Sequence, residues 1–296
     1  MYHEVLPDDV TLPAWTIVRE SDFHWQMRYL QRHFDVVSMA QAVERVSGKH
    51  EARRPFAVVT FDDGYRGNLH TVLPIMKSMG LPFILYAATQ AIIDKSLYWY
   101  DQVVSLLDVP EDVQVSLGQQ GQQEERFHIP SRAGAERRWQ ELERLLACLK
   151  RMAPAEREAA VRRIADKYDG ITSAIEMLSP EELHRLAGSN CVTVGAHTHR
   201  HELLDQLQQK EVRHTLHTAN EHITRITGYS PRHFSYPNGN FNQQVLGQLR
   251  GAGYETAVTT RSGTWSNRDC LLKIPRIGIG RFETMGQFKA RVSGCL

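Results

Sequence analysis

Three short polar segments of the sequence carry residue types that could catalyse a hydrolysis. They read T-F-D-D-G at 60–64, H-T-H-R-H at 197–201 and S-Y-P-N-G at 235–239. Each lies at the end of an apolar or β-branched run that predicts a buried strand. Parallel α/β folds place their active sites at the carboxyl ends of such strands. The three segments are therefore candidate parts of one site.

The histidines and aspartates of the first two segments could hold a metal ion. If residues 197–201 start a helical turn, His197 and His201 lie one turn apart on the same face. With a carboxylate from another strand they could bind one divalent cation at ~2.0–2.1 Å. Of two adjacent aspartates, one could coordinate the cation while the other takes a proton from water as a general base. Taken singly, T-F-D-D-G could be only a polar turn, and H-T-H-R-H could be only a chance pair of histidines in a surface loop. Together they predict a hydrolase for amide or ester carbonyls.

The joint pattern resembles the polysaccharide deacetylases of carbohydrate esterase family 4, also called the NodB homology domain. The resemblance covers most of the chain outside an insertion. It implies that Asp62 is the catalytic base and that Asp63, His197 and His201 bind the metal, zinc before cobalt, nickel or manganese. His199, the middle histidine, is not a ligand in this family, and we expect a bystander or a substrate contact.

The third segment matches the family's third motif only in part. Pro237 corresponds to the family's proline, which implies that the backbone N–H of Asn238 stabilises the oxyanion. Ser235 stands where many members have an arginine that contacts the catalytic aspartate. Arg276, in I-P-R-I, could supply the missing guanidinium to Asp62, although a surface arginine or a structural ion pair fits the sequence equally well.

The family's usual C-terminal histidine, a general acid, is missing, since the chain has no histidine after His233. However, Y-H-E-V at 2–5 is similar to the N-terminal segment of permuted members, the poly-N-acetylglucosamine deacetylases of biofilm systems. That resemblance implies that His3 is the general acid. The alternative is a partly buried strand histidine without a catalytic role.

Aromatic side chains near the candidate site could stack on sugar rings. The candidates are Tyr65, Trp99, Tyr236 and Trp265. For at least half of them we expect packing in the core instead.

Predicted strands alternate with predicted helices along most of the chain, which indicates an α/β fold with a parallel sheet or barrel. The strands are predicted at 56–61, 83–88, 192–196, 233–236 and 254–260. Between about 91 and 188 the alternation stops, and a possible hairpin is followed by two charged helices near 133–152 and 154–168. We expect one domain, 1–296, in which this stretch is a mostly helical insertion. The family resemblance implies a distorted (β/α) barrel of the NodB type.

Composition excludes several classes of function. The 296 residues include 35 basic and 34 acidic side chains, so no charge excess favours nucleic acid or an anionic membrane. No apolar run approaches the ~20 residues of a membrane-spanning helix. The first residues show no signal peptide, so we expect a cytoplasmic protein. The four scattered cysteines, Cys148, Cys191, Cys270 and Cys295, predict reduced thiols.

The expected function is metal-dependent removal of an N-acetyl or N-formyl group from an amino sugar. The substrate would be a polysaccharide or a glycolipid, for example a lipid-linked intermediate of surface-polysaccharide assembly. The first alternative is a catalytically weak protein of the same fold that binds metal and sugar, which the missing arginine and histidine favour. A second is an Fe(II) oxygenase with two histidines and one carboxylate, which leaves the second aspartate unexplained. The sequence does not indicate the sugar or the oligomeric state.

Overall fold

The computed structural model describes residues 1–48, 54–118, 124–168, 173–266 and 269–294. The chain divides into two compact units. Unit 1 comprises residues 1–8, 18–96 and 177–296, and unit 2 comprises residues 9–17 and 97–176. All three candidate segments belong to unit 1, and the longer part of unit 2 lies within the predicted insertion. That both units belong to one domain stays a prediction.

The strands follow the predicted alternation with helices. They are β1 (Glu4–Leu6), β2 (Ile17–Arg19), β3 (Asp35–Val36), β4 (Phe56–Ala57), β5 (Val59–Asp63), β6 (Phe83–Ala87), β7 (Val113–Leu117), β8 (Glu125–Ile129), β9 (Val192–Ala196), β10 (His233–Ser235) and β11 (Thr256–Val258). The predicted strand at 56–61 is two strands, because β4 pairs with β3 and β5 pairs with β6.

The main sheet of unit 1 is parallel throughout, with the order β11-β10-β9-β6-β5. Its register places Asp63, Ala87 and Ala196 side by side at the ends of β5, β6 and β9. Phe234 of β10 pairs with Ala196, and Ser235 pairs with Val258 of β11. The carboxyl ends therefore form one edge, and all three candidate segments lie along it.

Irregular segments continue this sheet on both sides. Ile274 makes a parallel bridge with the end of β11, and Tyr2 makes one with Phe61 of β5. The two segments meet where the Ile279 N–H donates to the Met1 carbonyl at 3.0 Å. The sheet thus closes on itself, which confirms the expected distorted barrel, although single bridges rather than regular strands close it.

The helices of unit 1 cover the sheet, and those of unit 2 lie within the predicted insertion. They are α1 (Glu20–His33), α2 (Met39–Val46), α3 (Leu73–Ser78), α4 (Thr89–Asp94), α5 (Trp99–Val104), α6 (Ala135–Arg151), α7 (Pro154–Lys167), α8 (Pro180–Ala187), α9 (Gln209–Thr227), α10 (Gln243–Gly251) and α11 (Met285–Val292). The long α9 ends at Gly228, whose φ of 84° is the left-handed conformation that glycine adopts without strain. In the described part of the chain, none of the helices combines the length and the apolar character needed to cross a bilayer.

Unit 2 contains the predicted hairpin and charged helices. β7 and β8 pair antiparallel, with Val113 opposite Ile129, while the predicted turn at 119–123 lies outside the described residues. α6 buries Leu142, Leu145 and Leu149, whose spacing forms one apolar stripe of an amphipathic helix. Its charged residues are therefore left for the opposite face. Across the chain, Cys148, Cys191 and Cys270 are free thiols, as expected. Cys295 lies outside the described residues.

Candidate active site

The side chains of Asp63, His197 and His201 converge at the carboxyl edge of the sheet. Oδ1 of Asp63 lies 3.3 Å from Nε2 of His197 and 3.4 Å from Nε2 of His201. Asp63 and His197 are buried, and His201 is half-buried. Among the residues that the structure describes, these three form the one group of His, Cys, Asp or Glu side chains that could hold a metal ion.

This group of donors fits a divalent cation. Nitrogen and oxygen ligands lie ~2.0–2.1 Å from Zn²⁺, so two ligands at a tetrahedral angle are about 3.3–3.4 Å apart. Oδ1 of Asp63 lies at this distance from Nε2 of each histidine. Nδ1 of His197 lies 2.8 Å from the carbonyl oxygen of Ser235. With the proton on Nδ1, Nε2 can offer its lone pair to a cation. Three protein ligands would leave coordination positions for water and substrate, as in catalytic sites.

Protonation of the two imidazoles is set by burial and by the neighbouring carboxylate. Burial lowers the pKa of His201 to about 4, so its ring is neutral at pH 7. Burial also acts to lower the pKa of His197, but the hydrogen bond with Asp63 and the charge of Asp62 raise it above its ordinary value. A cation would compete with a proton at His197, since metal binding requires the neutral ring.

The loop between the two histidines is not a helical turn. Thr198 and His201 both adopt left-handed backbone conformations, with φ of 64° and 57°. The condition considered from the sequence, a helical turn at 197–201, is therefore not met. The two imidazoles nevertheless lie close together, with ring centroids 4.9 Å apart. Asp63 is left-handed as well, with φ of 78°. Strained backbone of this kind clusters at functional sites.

The Asp62 carboxylate receives two hydrogen bonds from Arg276. Nη1 donates to Oδ1 at 2.7 Å and Nη2 donates to Oδ2 at 2.6 Å. The Ser235 hydroxyl donates to Oδ2 at 3.2 Å and accepts from Nη2 of Arg276 at 3.0 Å. Arg276 is itself held by the Thr60 hydroxyl, at 3.2 Å, and by the Thr259 carbonyl, at 2.9 Å. Ser235 and Arg276 thus both bind the carboxylate of Asp62.

This arrangement keeps Asp62 ionised. Burial alone would raise the pKa of the carboxyl, but the charge and hydrogen bonds of Arg276 lower it to about 2. Burial would also raise the pKa of Asp63, whereas the hydrogen bond with His197 and the charge of His201 hold it well below its usual range. Both carboxylates are therefore available at neutral pH, one as a proton acceptor and one as a ligand.

His3 lies beside the two aspartates on the segment that extends the sheet past β5. The Tyr2 N–H donates to the Thr60 carbonyl at 2.8 Å, and the Asp62 N–H donates to the Tyr2 carbonyl at 3.1 Å. The Tyr2 and Phe61 rings stack, with centroids 5.4 Å apart. Because side chains alternate along a strand, the next residues, His3 and Asp62, point to the opposite face together. Burial lowers the pKa of His3, and the charges of Asp63 and Asp62 oppose that effect.

Asn238 follows β10 in a single 3₁₀ turn, Pro237–Gly239. Its backbone is left-handed, with φ of 56°, and its carbonyl accepts from the Thr260 hydroxyl at 3.1 Å. A side chain at Gly239 would collide with Thr260, so the turn needs glycine there. The turn holds the N–H of Asn238 at the same edge of the sheet as the candidate metal ligands.

Two of the aromatic candidates belong to the core. Tyr65 and Tyr236 are 1% and 0% exposed, and the Tyr236 hydroxyl donates to the Leu272 carbonyl at 3.0 Å. Both rings are enclosed, as expected for at least half of the four candidates, and a role for either ring as a sugar contact stays a prediction. Trp265 is partly buried against the core, with its ring edge-on to Phe56. Trp99 belongs to unit 2, where the Arg157 guanidinium lies 4.8 Å from its ring centroid, and its role as a sugar contact stays a prediction.

His199 points away from the candidate metal ligands. Its Nδ1 lies 2.8 Å from the Thr89 hydroxyl, and its ring stacks on His222 with centroids 5.2 Å apart. Thr215 and Glu202, which bind the backbone of the same loop, were not predicted from the sequence. Nothing in the sequence distinguishes Thr215 from other helix threonines, and Glu202 is marked only by following His201.

Comparison with known proteins finds related sequences. The family model described as polysaccharide deacetylase matches residues 49–257. The poly-beta-1,6-N-acetyl-D-glucosamine N-deacetylase of Escherichia coli K12 is 24% identical over 300 residues, which cover 98% of this chain and 38% of that protein. The chain thus spans well under half the length of this curated relative.

Solved structures share the fold. The Streptococcus pyogenes deacetylase PplD in complex with acetate is 15% identical, with a TM-score of 0.64, over 98% of this chain and 95% of that one. IcaB from Ammonifex degensii is 16% identical, with a TM-score of 0.58, over 99% and 94%. The residues matched by the family model, together with this fold, show that the chain belongs to the polysaccharide deacetylase family.

Proposed function

We propose that the chain removes the N-acetyl group from an amino sugar of a saccharide, with the help of a divalent metal ion. The observation that carries the proposal is the position of Asp62. It lies next to the potential ligand group of Asp63, His197 and His201 and is held by Arg276 through two hydrogen bonds. Zinc is the cation that we favour, since two imidazoles and one carboxylate form a common catalytic zinc site.

The chemistry divides between Asp62 and the metal. A cation bound by the three ligands would polarise the acyl carbonyl and lower the pKa of the attacking water toward ~7. Asp62 accepts the proton of that water. Its carboxylate is ionised at neutral pH and can therefore accept that proton. Arg276 and Ser235 fix the orientation of the carboxylate, and Arg276 keeps it ionised.

Two further groups complete the reaction. The N–H of Asn238 donates a hydrogen bond to the oxyanion of the tetrahedral intermediate. His3 donates a proton to the nitrogen as the carbon–nitrogen bond breaks, because an amide nitrogen leaves poorly as an anion. His3 shares a face of the sheet with Asp62, which supports this assignment. The products are acetate and the free amine.

The alternative of a catalytically weak binding protein rested on Ser235 and on the absence of a C-terminal histidine. The guanidinium of Arg276 contacts Asp62 and is a candidate replacement for the missing arginine. His3 lies on the same face and is a candidate replacement for the missing histidine. We therefore favour the hydrolase. A cytoplasmic location and a lipid-linked substrate remain predictions, which cell fractionation and assays on glycolipids check.

The test is acetate release from β-1,6-linked N-acetylglucosamine oligomers, the substrate class in the name of the E. coli relative. The assay uses metal-free protein with added Zn²⁺ or Co²⁺ under anaerobic conditions. Release of acetate with a matching amount of free amine supports the proposal. Binding of the oligomer without turnover identifies a binding protein instead. In a parallel aerobic assay with added Fe(II), activity that needs both iron and oxygen identifies an oxygenase.

A further inference from the structure

A single hydroxyl of α9 lies against the loop that joins the two candidate histidine ligands. Thr215 is 3% exposed. Its Oγ1 accepts a hydrogen bond from the His199 N–H at 3.0 Å and donates one to Oε2 of Glu202 at 2.9 Å. The hydroxyl thus uses both its accepting and its donating capacity on the segment that contains His201.

Glu202 extends this network through the loop. Its Oε2 also accepts from the Arg200 N–H at 2.8 Å, and its own N–H donates to the Thr198 hydroxyl at 3.1 Å. The N–H groups of residues 199, 200 and 202 are therefore all bound by side-chain oxygens of Thr215, Glu202 and Thr198. His201 lies in the segment that these hydrogen bonds hold, between the bound N–H groups of residues 200 and 202.

The opposite side of the loop is fixed by backbone groups at the start of α4. The Thr89 N–H donates to the Thr198 carbonyl at 3.4 Å, and the Gln90 N–H donates to the His199 carbonyl at 2.8 Å. Side-chain substitutions at Thr89 or Gln90 leave these bonds in place. The hydrogen bonds between the loop and α9, in contrast, depend on the side chain of Thr215, so one substitution can remove them.

The loop needs such external support. Left-handed conformations at non-glycine residues cost on the order of 1–3 kcal/mol each, and both Thr198 and His201 adopt one. Without the network, other backbone conformations at His201 would move its imidazole away from Asp63. We propose that Thr215 and Glu202 are positioning residues for the metal site, which set the conformation of His201 and thereby the affinity for the cation. The inference rests on the proposed function only in that the site binds a divalent cation.

The test measures Zn²⁺ alone, titrated into metal-free protein in competition with a chromogenic chelator. Thr215→Val keeps the size of the side chain and removes both hydrogen bonds. Loss of groups that orient metal ligands typically weakens binding 10–100-fold, and we expect a loss of about that size. Thr215→Ser, which keeps the hydroxyl, should bind Zn²⁺ nearly as tightly as the wild type. Thr224→Val is the matched control, since the Thr224 hydroxyl donates to Asn220 within the same helix.

Two further measurements separate positioning from stability. Turnover of Thr215→Val should approach that of the wild type at saturating Zn²⁺, because none of the proposed catalytic groups is changed. If Thr215→Val does not fold, Glu202→Gln is the second variant. It removes the negative charge from the group that accepts hydrogen bonds from Thr215 and Arg200, and it should also weaken Zn²⁺ binding. Unchanged Zn²⁺ affinity in a folded variant overturns the inference and leaves the proposed function intact. Failure of the wild-type protein to bind Zn²⁺ overturns both.

Discussion

Arg276 and Asp62, 214 residues apart in the chain, form a buried ion pair with two parallel hydrogen bonds of 2.7 and 2.6 Å. Their side chains are only 5% and 4% exposed. Arg276 lies in the irregular segment that follows β11, between Ile274, which bridges to β11, and Ile279, which bonds to Met1. Ser235 also binds the Asp62 carboxylate. Ser235 stands at the position where many family members have the arginine. The guanidinium is thus supplied from a different part of the fold.

Removing Arg276 should destabilise the protein, because it leaves the Asp62 carboxylate buried without its cation. Loss of one partner of a buried pair costs about 3–5 kcal/mol. We expect Arg276→Met to lower the free energy of unfolding by that amount, measured by urea denaturation. The control is Arg232→Met, since the Arg232–Glu255 pair is exposed, with 71% and 52% of its side chains accessible. Such pairs contribute about 0–1 kcal/mol. Equal losses for the two variants would contradict a structural role for the buried pair.

Substitution of the two adjacent aspartates should have different effects, since one is proposed as the base and the other as a metal ligand. Asp62→Asn should lower kcat by about 10²–10⁴-fold, the usual effect of losing a general base, and should leave bound metal near the wild-type amount. Asp63→Asn should instead lower the affinity for the metal itself. Steady-state kinetics together with metal analysis of each variant distinguishes the two. A fully active Asp62→Asn variant would place the base elsewhere.

His3→Ala should lower kcat without loss of metal, because His3 is proposed to donate a proton and not to bind the cation. The loss should be largest for substrates whose amine leaves poorly and small for an activated ester, which needs no protonation. Comparing kcat for an amide and for an activated ester of the same acyl group measures this difference. An equal loss for both substrates would indicate that His3 acts on the structure of the site.

Removal of the metal should abolish acetate release. The three candidate ligands predict about one cation per chain in the purified protein, bound with open coordination positions. After treatment with a chelator, activity should return on addition of Zn²⁺ or Co²⁺ to the wild type and fail to return for His201→Ala. Full activity of the chelated protein, checked by metal analysis, would exclude a metal-dependent mechanism.

Glu182 should contribute stability that depends on pH. Burial acts to raise its pKa, but the Ser179 N–H, His70 and Arg66 lower it to about 2. Because this value lies below the ordinary 4.5, the contribution is present above pH 4.5 and is lost as the pH falls toward 2. The difference in Tm between wild type and Glu182→Gln should therefore be larger at pH 6 than at pH 3. A difference that stays constant would show that the charge of Glu182 does not stabilise the fold.

The strands of the sheet could be predicted from sequence because both of their faces are buried. A continuous apolar run then appears in the sequence, and β6 and β9 follow the predicted 83–88 and 192–196 to within one residue. The closure of the barrel could not be predicted in this way. Ile274 and Tyr2 each make a single bridge, and one bridge imposes no periodic pattern on the neighbouring residues.

The sequence by itself determined which residues could do chemistry, since Asp62, Asp63, His197 and His201 are marked by residue type and by their place after buried runs. Only the tertiary structure decided how they are held. Arg276 was compatible with a surface position, Thr215 carried no signal, and the histidine loop was compatible with a helical turn. The physical reason is that local patterns record burial and turn preference within a few residues. Contacts such as Arg276 with Asp62, or Thr215 with His199, depend on closure of the barrel and on the packing of α9, which join residues distant in sequence.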